Sequence, residues 1–347
     1  MTVRPTALVA SLAIAAACSP PNMAVLAPVP AVEHRRVDLC ASACRDSLEL
    51  TYLGVSGFVL RRGDHALMTA PSFTNPGAFR LLLPSPFRLD SDTAIVDRRL
   101  ERVALAGVDA ILVGHAHYDH LLDVPYVARA WTPAARVYGS ATMVNTLAGD
   151  PKLRARALSI ADSAGSATTP GRWVYPEGGR FRFMPVVSSH APNAWLYTFA
   201  DGVVPEPRPS LPRTARGWKK GEVYAYVVDA IAPDSTPLFR VYYQDAAADP
   251  AYLAIPPMSG SDVRAVDVAI LCVGNYESAR GNPDVLLGTL RPRFVVLSHW
   301  EDFFRSPLDP LRVIPLTDTE RLVERLRAAV GDRWITPEPL SRVTFGF

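Results

Sequence analysis

From residue 48 onward, short apolar runs alternate with polar breaks at a spacing that predicts strands with helices between them. Segments 48–60 and 66–69 read as two strands joined by Arg61-Arg62-Gly63-Asp64, and 71–86 as a loop. A helix is expected over 98–106, then a buried strand over 108–113 that Gly114 turns. A helix over 121–130, a short strand over 136–138 and a helical stretch over 141–161, broken at Pro151, follow. Residues 181–189 alternate and then run apolar, which predicts a strand ending at His190. Segments 223–228 and 238–243 read as paired strands, and 266–273 and 294–297 as short buried ones. The last helix has a capping box in Thr317-Asp318-Thr319-Glu320 and one apolar face of Leu322, Val323, Leu326, Ala329 and Val330, and it stops at Gly331. Strands fall in an early and a late cluster. That order predicts an α/β domain over 48–347, with two sheets packed face to face and helices outside. The stretch 201–221, rich in Pro, Arg and Lys, reads as an inserted surface loop, either a solvated hairpin extension or a lid.

The start of the chain follows another pattern. A positive residue near Met1 precedes the small apolar run 7–17, the layout of a secretory signal, too short to span a membrane. Ala15-Ala16-Ala17-Cys18 followed by Ser19-Pro20-Pro21 resembles a bacterial lipoprotein signal over 1–18, which would lipidate Cys18. Ala15 stands where Leu is usual, so ordinary cleavage after an Ala is the alternative. Either route predicts an exported protein, periplasmic or membrane-anchored. Residues 19–47, rich in Pro and Ala, read as a tether. Cys40 and Cys44 either pair in an oxidising compartment or remain free thiols, and Cys272 reads as a small core residue.

Composition narrows the classes. A hydrophobic content of 49% supplies a packed core for 347 residues. The formal net charge of +2, without a long block of either sign, gives no footprint for nucleic acid.

The chemistry concentrates where the 108–113 strand ends. Of seven histidines, three lie in Gly114-His115-Ala116-His117-Tyr118-Asp119-His120. His115 and His117 alternate and so point the same way, and Asp119 and His120 come round the turn. Imidazoles and a carboxylate at this density suit zinc or a similar divalent ion. Three later strand ends carry His190, Asp245 and His299. Five histidines and two aspartates at one rim are enough for two ions and a shared carboxylate. His34 and His65 are left as exposed bystanders.

With these residues in order, the chain resembles the metallo-β-lactamase-fold hydrolase superfamily over roughly 48–330. The resemblance implies an αββα sandwich and two divalent metals, zinc first, with manganese or iron as alternatives. His115, His117 and His190 would hold one ion. Asp119, His120 and His299 would hold the other, and Asp245 would bridge them. It implies a hydrolase that uses a metal-bridging hydroxide, with Asp119 serving the leaving group. Tyr118, Asn193, Trp195, Trp300 and Glu301 are candidates for shaping the substrate pocket. One departure stands out: relatives carry Asp in a Thr-Asp-Pro turn, where this chain has Thr69-Ala70-Pro71. That Asp orients ligands, so its loss is expected to weaken metal occupancy or rate unless another group substitutes. The presence of Asp245 argues against β-lactams as the main substrate. Tyr118, Asp123 and the Thr-x-Pro turn resemble the N-acylphosphatidylethanolamine phospholipase D-like and L-ascorbate-6-phosphate lactonase-like branches. A small-molecule or lipid phosphodiester is the expected substrate. A lactone or other ester, and a metal-binding protein that has lost catalysis, are the alternatives.

Overall fold

The computed structural model describes residues 21–77, 88–192 and 198–347. The 1–18 signal with Cys18, and the pocket candidates Asn193 and Trp195, lie outside the described residues.

The stretch expected to be a tether is instead attached to the domain from Asn22. Helix α1 (Met23–Leu26) is capped by Asn22, whose side chain accepts from Ala24 N, and it buries Leu26. Strand β1 (His34–Asp38) pairs in parallel with the C-terminal strand. Cys40 and Cys44 form a disulfide just after it. The Pro and Ala content concealed a few anchoring residues, Leu26 and Val29 among them, which composition alone does not reveal.

The remaining strands are β2 (Ser47–Gly54), β3 (Gly57–Arg62), β4 (His65–Thr69), β5 (Val108–Leu112), β6 (Arg136–Gly139), β7 (Ala157–Ser159), β8 (Phe181–Ser188), β9 (Val223–Ile231), β10 (Pro237–Tyr243), β11 (Val268–Cys272), β12 (Phe294–Ser298), β13 (Trp334–Ile335) and β14 (Arg342–Gly346). Among the described residues they form two mixed sheets, in the orders β1-β14-β2-β3-β4-β5-β6-β7 and β13-β12-β11-β10-β9-β8. β2, β3 and β4 form an antiparallel meander, and β4 to β7 then run parallel. In the second sheet β8, β9 and β10 are antiparallel, and β10 to β13 run parallel. Parallel strands require crossovers. The first sheet uses α2 (Thr93–Leu100), α3 (Tyr118–Leu121), α4 (Val124–Ala130) and α5 (Ala141–Leu147), and the second α6 (Asp284–Leu290) and α7 (Thr319–Val330). β11, buried along its whole length, reads as a continuous apolar run because both of its faces are covered.

Side chains from both sheets meet between them. Tyr138 of β6 packs on Phe183 of β8 at 5.1 Å, and Tyr243 of β10 donates to Ser56 O at 2.8 Å. β8, β10 and β12 point the same way, so their C-terminal ends share one rim, where open α/β sheets bind ligands. The opposite end is tied by buried charge. Arg240 holds Asp229 at 2.7 Å, and Arg182 holds it at 2.9 Å from the next strand.

Several boundaries differ from expectation for identifiable reasons. Segment 48–60 is two strands, because the chain reverses at Val55-Ser56 with Gly54 and Val55 both at positive φ. The helix expected over 98–106 is α2, set earlier by Asp92, which caps Ile95 N. The helix expected over 121–130 is two, and the first starts at Tyr118, so Asp119 and His120 stand on a helical turn. Residues 141–161 stop being helical at Leu147, and turns and β7 follow. The cap of α7 is Asp318, which accepts from Arg321 N at 3.0 Å, and Gly331 ends that helix at φ 63°. Residues 201–221 are neither a hairpin nor a free loop. They form a strap with Trp218 buried, held by Arg208 N to Asn145 O at 2.8 Å. No helix among the described residues is long and apolar enough to cross a membrane.

Candidate metal centre

β5 delivers the first ligands. Gly114 follows it with no room for a side chain: a Cβ there would lie 2.2 Å from Asp245 Cβ. His115, Ala116 and His117 then run along the strap, with Ala116 N donating to Lys220 O at 2.9 Å. His117 is the extended residue that opens α3, and the first turn of α3 swings Asp119 and His120 round to the same rim. His190, Asp245 and His299 stand just past β8, β10 and β12.

The structure brings all seven expected ligands together. His115, His117 and His190 offer donor atoms within 4.8 Å of one another, as do Asp119, His120 and His299. In the first set His115 Nε2 lies 3.1 Å from His117 Nδ1. His190 uses its Nδ1 on Ala191 O at 2.6 Å, which leaves Nε2 for the site. In the second set Asp119 Oδ2 lies 3.5 Å from both His120 Nε2 and His299 Nε2. Asp245 joins one histidine of each set: Oδ2 is 2.5 Å from His115 Nδ1 and Oδ1 is 3.1 Å from His120 Nδ1. Tyr243 donates to the same Oδ1 at 2.6 Å. The carboxylate expected to be shared therefore stands between the two sets, and with His115 and His120 it makes a third group of potential ligand atoms within 4.8 Å of one another. That is a position from which a carboxylate fixes imidazole orientation.

The electrostatics suit a cation. Burial, with neighbouring imidazoles adding to it, lowers His115 and His117, and it brings His190 down to about 3. These rings are neutral at pH 7, with lone pairs free to ligate. Burial would raise Asp119 and Asp245, but the histidines around them outweigh it and keep both carboxyls below their usual range. His120 goes up, since Asp245 and Asp119 outweigh its burial. Two buried ring nitrogens, His117 Nε2 and His299 Nδ1, have no hydrogen-bond partner among the described residues. Imidazoles and carboxylates gathered in compact groups, with Asp245 grouped with His115 and His120 between the two triads, fit two zinc-like ions. Cys272 is buried and falls in none of the triads.

The surroundings correct several expectations. Trp300 is 0% exposed and donates to Pro337 O at 2.9 Å, so it is a core residue and not a pocket wall. Glu301 turns inward onto Tyr52 and Val55. Tyr118 is also buried, with its ring edge-on to Phe199 at 6.3 Å. Phe199, 6.4 Å from the His117 ring, is the neighbour that sequence reasoning missed, since a lone Phe in an irregular stretch carries no pattern. Asp123 has a definite role: it accepts from Phe73 N at 2.6 Å and from Thr74 N and Ser91 Oγ at 2.7 and 2.6 Å, and so ties the loop after β4 to the start of α4. Of the two bystanders, His34 is exposed and His65 half-buried.

Comparison with known proteins agrees with this picture. The family model described as "Beta-lactamase superfamily domain" matches residues 84–300. Igni18, described as a novel metallo hydrolase from the hyperthermophilic archaeon Ignicoccus hospitalis, is 17% identical; the match covers 87% of this chain and 99% of that one with a TM-score of 0.51, which shows a common fold. YhfI, a metallo-β-lactamase fold protein from Bacillus subtilis, is 14% identical over 85% of this chain and 97% of its own, with a TM-score of 0.45. An isothiocyanate hydrolase from Delia radicum gut bacteria is 15% identical over 86% and 100%, with a TM-score of 0.47. No curated protein matches the sequence.

Proposed function

The chain belongs to the beta-lactamase superfamily, and from that premise we propose that it is an exported two-metal hydrolase that cleaves phosphodiesters, phospholipid-like ones included. The observation that carries the hydrolase reading is the pair of donor triads joined through Asp245. His115, His117 and His190 would hold one divalent ion, and Asp119, His120 and His299 the other. When bound, such ions supply Lewis-acid polarisation of the scissile group and bring water activation to neutral pH.

The chain's own residues do the rest. Asp119, part of the rim, would take a proton from the attacking water and return it to the leaving oxygen. Asp245 holds the His115 and His120 rings. Phe199 and Tyr118 form an apolar wall beside His117, which limits water there. The anionic substrate class is supported by the strap. Arg208, Arg213, Arg216, Lys219 and Lys220 outnumber Asp201 and Glu206, and the strap runs directly along the first two ligands. Fixed positive charge at a site mouth concentrates anions. Export is supported by the Cys40–Cys44 disulfide, a bond that persists in oxidising compartments.

The test is a panel of a phosphodiester, a lactone, a thioester and a β-lactam, run on zinc-loaded protein. Phosphodiester turnover should be highest and should vanish in His117→Ala. Faster opening of the lactone or β-lactam would refute the phosphodiester assignment. Two bound ions with no turnover of any substrate would refute the enzyme.

A further inference from the structure

We infer that Glu301 and Tyr52 form a clamp that positions His299 for its metal, an inference that rests on the two-metal reading above. His299 differs from His115, His120 and His190 in how its ring is aimed. His115 and His120 are oriented through Nδ1 by Asp245, and His190 through Nδ1 by a carbonyl. His299 Nδ1 is buried with no hydrogen-bond partner among the described residues, so that ring is aimed from its backbone. The backbone is unusual. His299 has φ 54°, and Val55, whose carbonyl accepts from His299 N at 2.6 Å, has φ 53°. Neither is glycine and Val55 is β-branched, so the left-handed conformation persists only where the surroundings enforce it.

The enforcement is visible. Glu301 Oε1 accepts from Val55 N, and Oε2 accepts from the Tyr52 hydroxyl at 2.5 Å. The same hydroxyl accepts from His299 N at 3.0 Å. One carboxylate and one phenol thus hold both left-handed residues. Glu301 has room because residue 54 is glycine: a Cβ there would come within 3.2 Å of Oε1. Phe303 packs edge-on against the ring at 4.8 Å.

The experiment is stepwise zinc binding, measured against a competing chromophoric chelator, with the full chain. His299→Ala identifies the step that belongs to the second triad. Tyr52→Phe and Glu301→Gln should weaken that step about 10- to 100-fold, leave the other step unchanged, and alter the visible spectrum of cobalt bound at the second triad. Glu301→Ala should do more; if it fails to fold, the two conservative variants decide. Wild-type zinc affinities in both, whatever their melting temperatures, would overturn the clamp, as would equal weakening of both steps. The hydrolase reading fails separately, as two-zinc protein without turnover, and leaves the zinc steps readable. A wild-type chain that binds no zinc would overturn both.

Discussion

Gly114→Ala tests the centre most directly. The added Cβ would sit 2.2 Å from Asp245 Cβ and 2.3 Å from its Cγ and Oδ2, distances no real contact reaches. Asp245 has little freedom to retreat, because its oxygens are held by His115, His120 and Tyr243. Overpacking of this kind costs about 1–3 kcal/mol. In a chain of this size that lowers Tm by roughly 2–6 °C. Displacing Asp245 should also weaken zinc binding about 10- to 100-fold, the usual loss when a ligand's orienting partner is removed. Gly288→Ala is the control: it lies in α6, meets nothing within 4 Å, and should be neutral or stabilising by about 1 kcal/mol. The assay is thermal unfolding with and without zinc, together with zinc titration. A Gly114→Ala protein with wild-type zinc affinity and wild-type Tm would refute the placement of Asp245 behind both rings.

Other outcomes follow from the same contacts. Chelator should release two ions per chain and lower Tm, and zinc should restore it; a Tm indifferent to chelator would contradict structural coupling of the site. Asp123→Ala leaves the Phe73 and Thr74 amides without their acceptor and should cost roughly 3 kcal/mol in denaturant unfolding. Burial raises the Asp123 carboxyl, so its titrating contribution is fully present below the unfolded value of about 3.9 and is lost as pH rises through the folded value. The stability gap between wild type and Asp123→Ala should therefore narrow as pH rises through that window; a widening gap would reverse the sign. Ala70→Asp would put a charge at a position 1% exposed while Asp245 already serves His115 and His120, so it should destabilise without tightening zinc. A zinc titration showing tighter binding would count against this.

The candidate ligands were legible because each stands where an apolar run ends, and strand ends are what a single sequence marks best. His115 to His120, His190, Asp245 and His299 needed only the alternation of strands with polar breaks. What supports them was not legible. Tyr52 and Glu301 are 249 residues apart, and nothing local to either marks the pairing. Trp300 misled for a related reason. Next to a ligand it reads as a pocket residue, yet the left-handed turn at His299 sends it into the core. The reversal at Val55 was hidden because a β-branched residue is the last one expected at positive φ. The substitution at Ala70 was visible, but not that Asp245 lies against both His115 and His120 while grouping with them as a potential metal ligand.

β14 is inserted between β1 and β2, with Arg342 opposite His34 on one side and Thr51 on the other. The seam of the first sheet is therefore supplied by a strand about 300 residues downstream of its neighbours. Until it arrives, β1 has no neighbour and β2 lacks one, so the nascent chain cannot complete the sheet, however long synthesis pauses. Pairings this distant in sequence slow folding. Removing residues 342–347 should yield a chain whose first sheet never closes, and its sensitivity to protease is a direct measure of how much β14 decides.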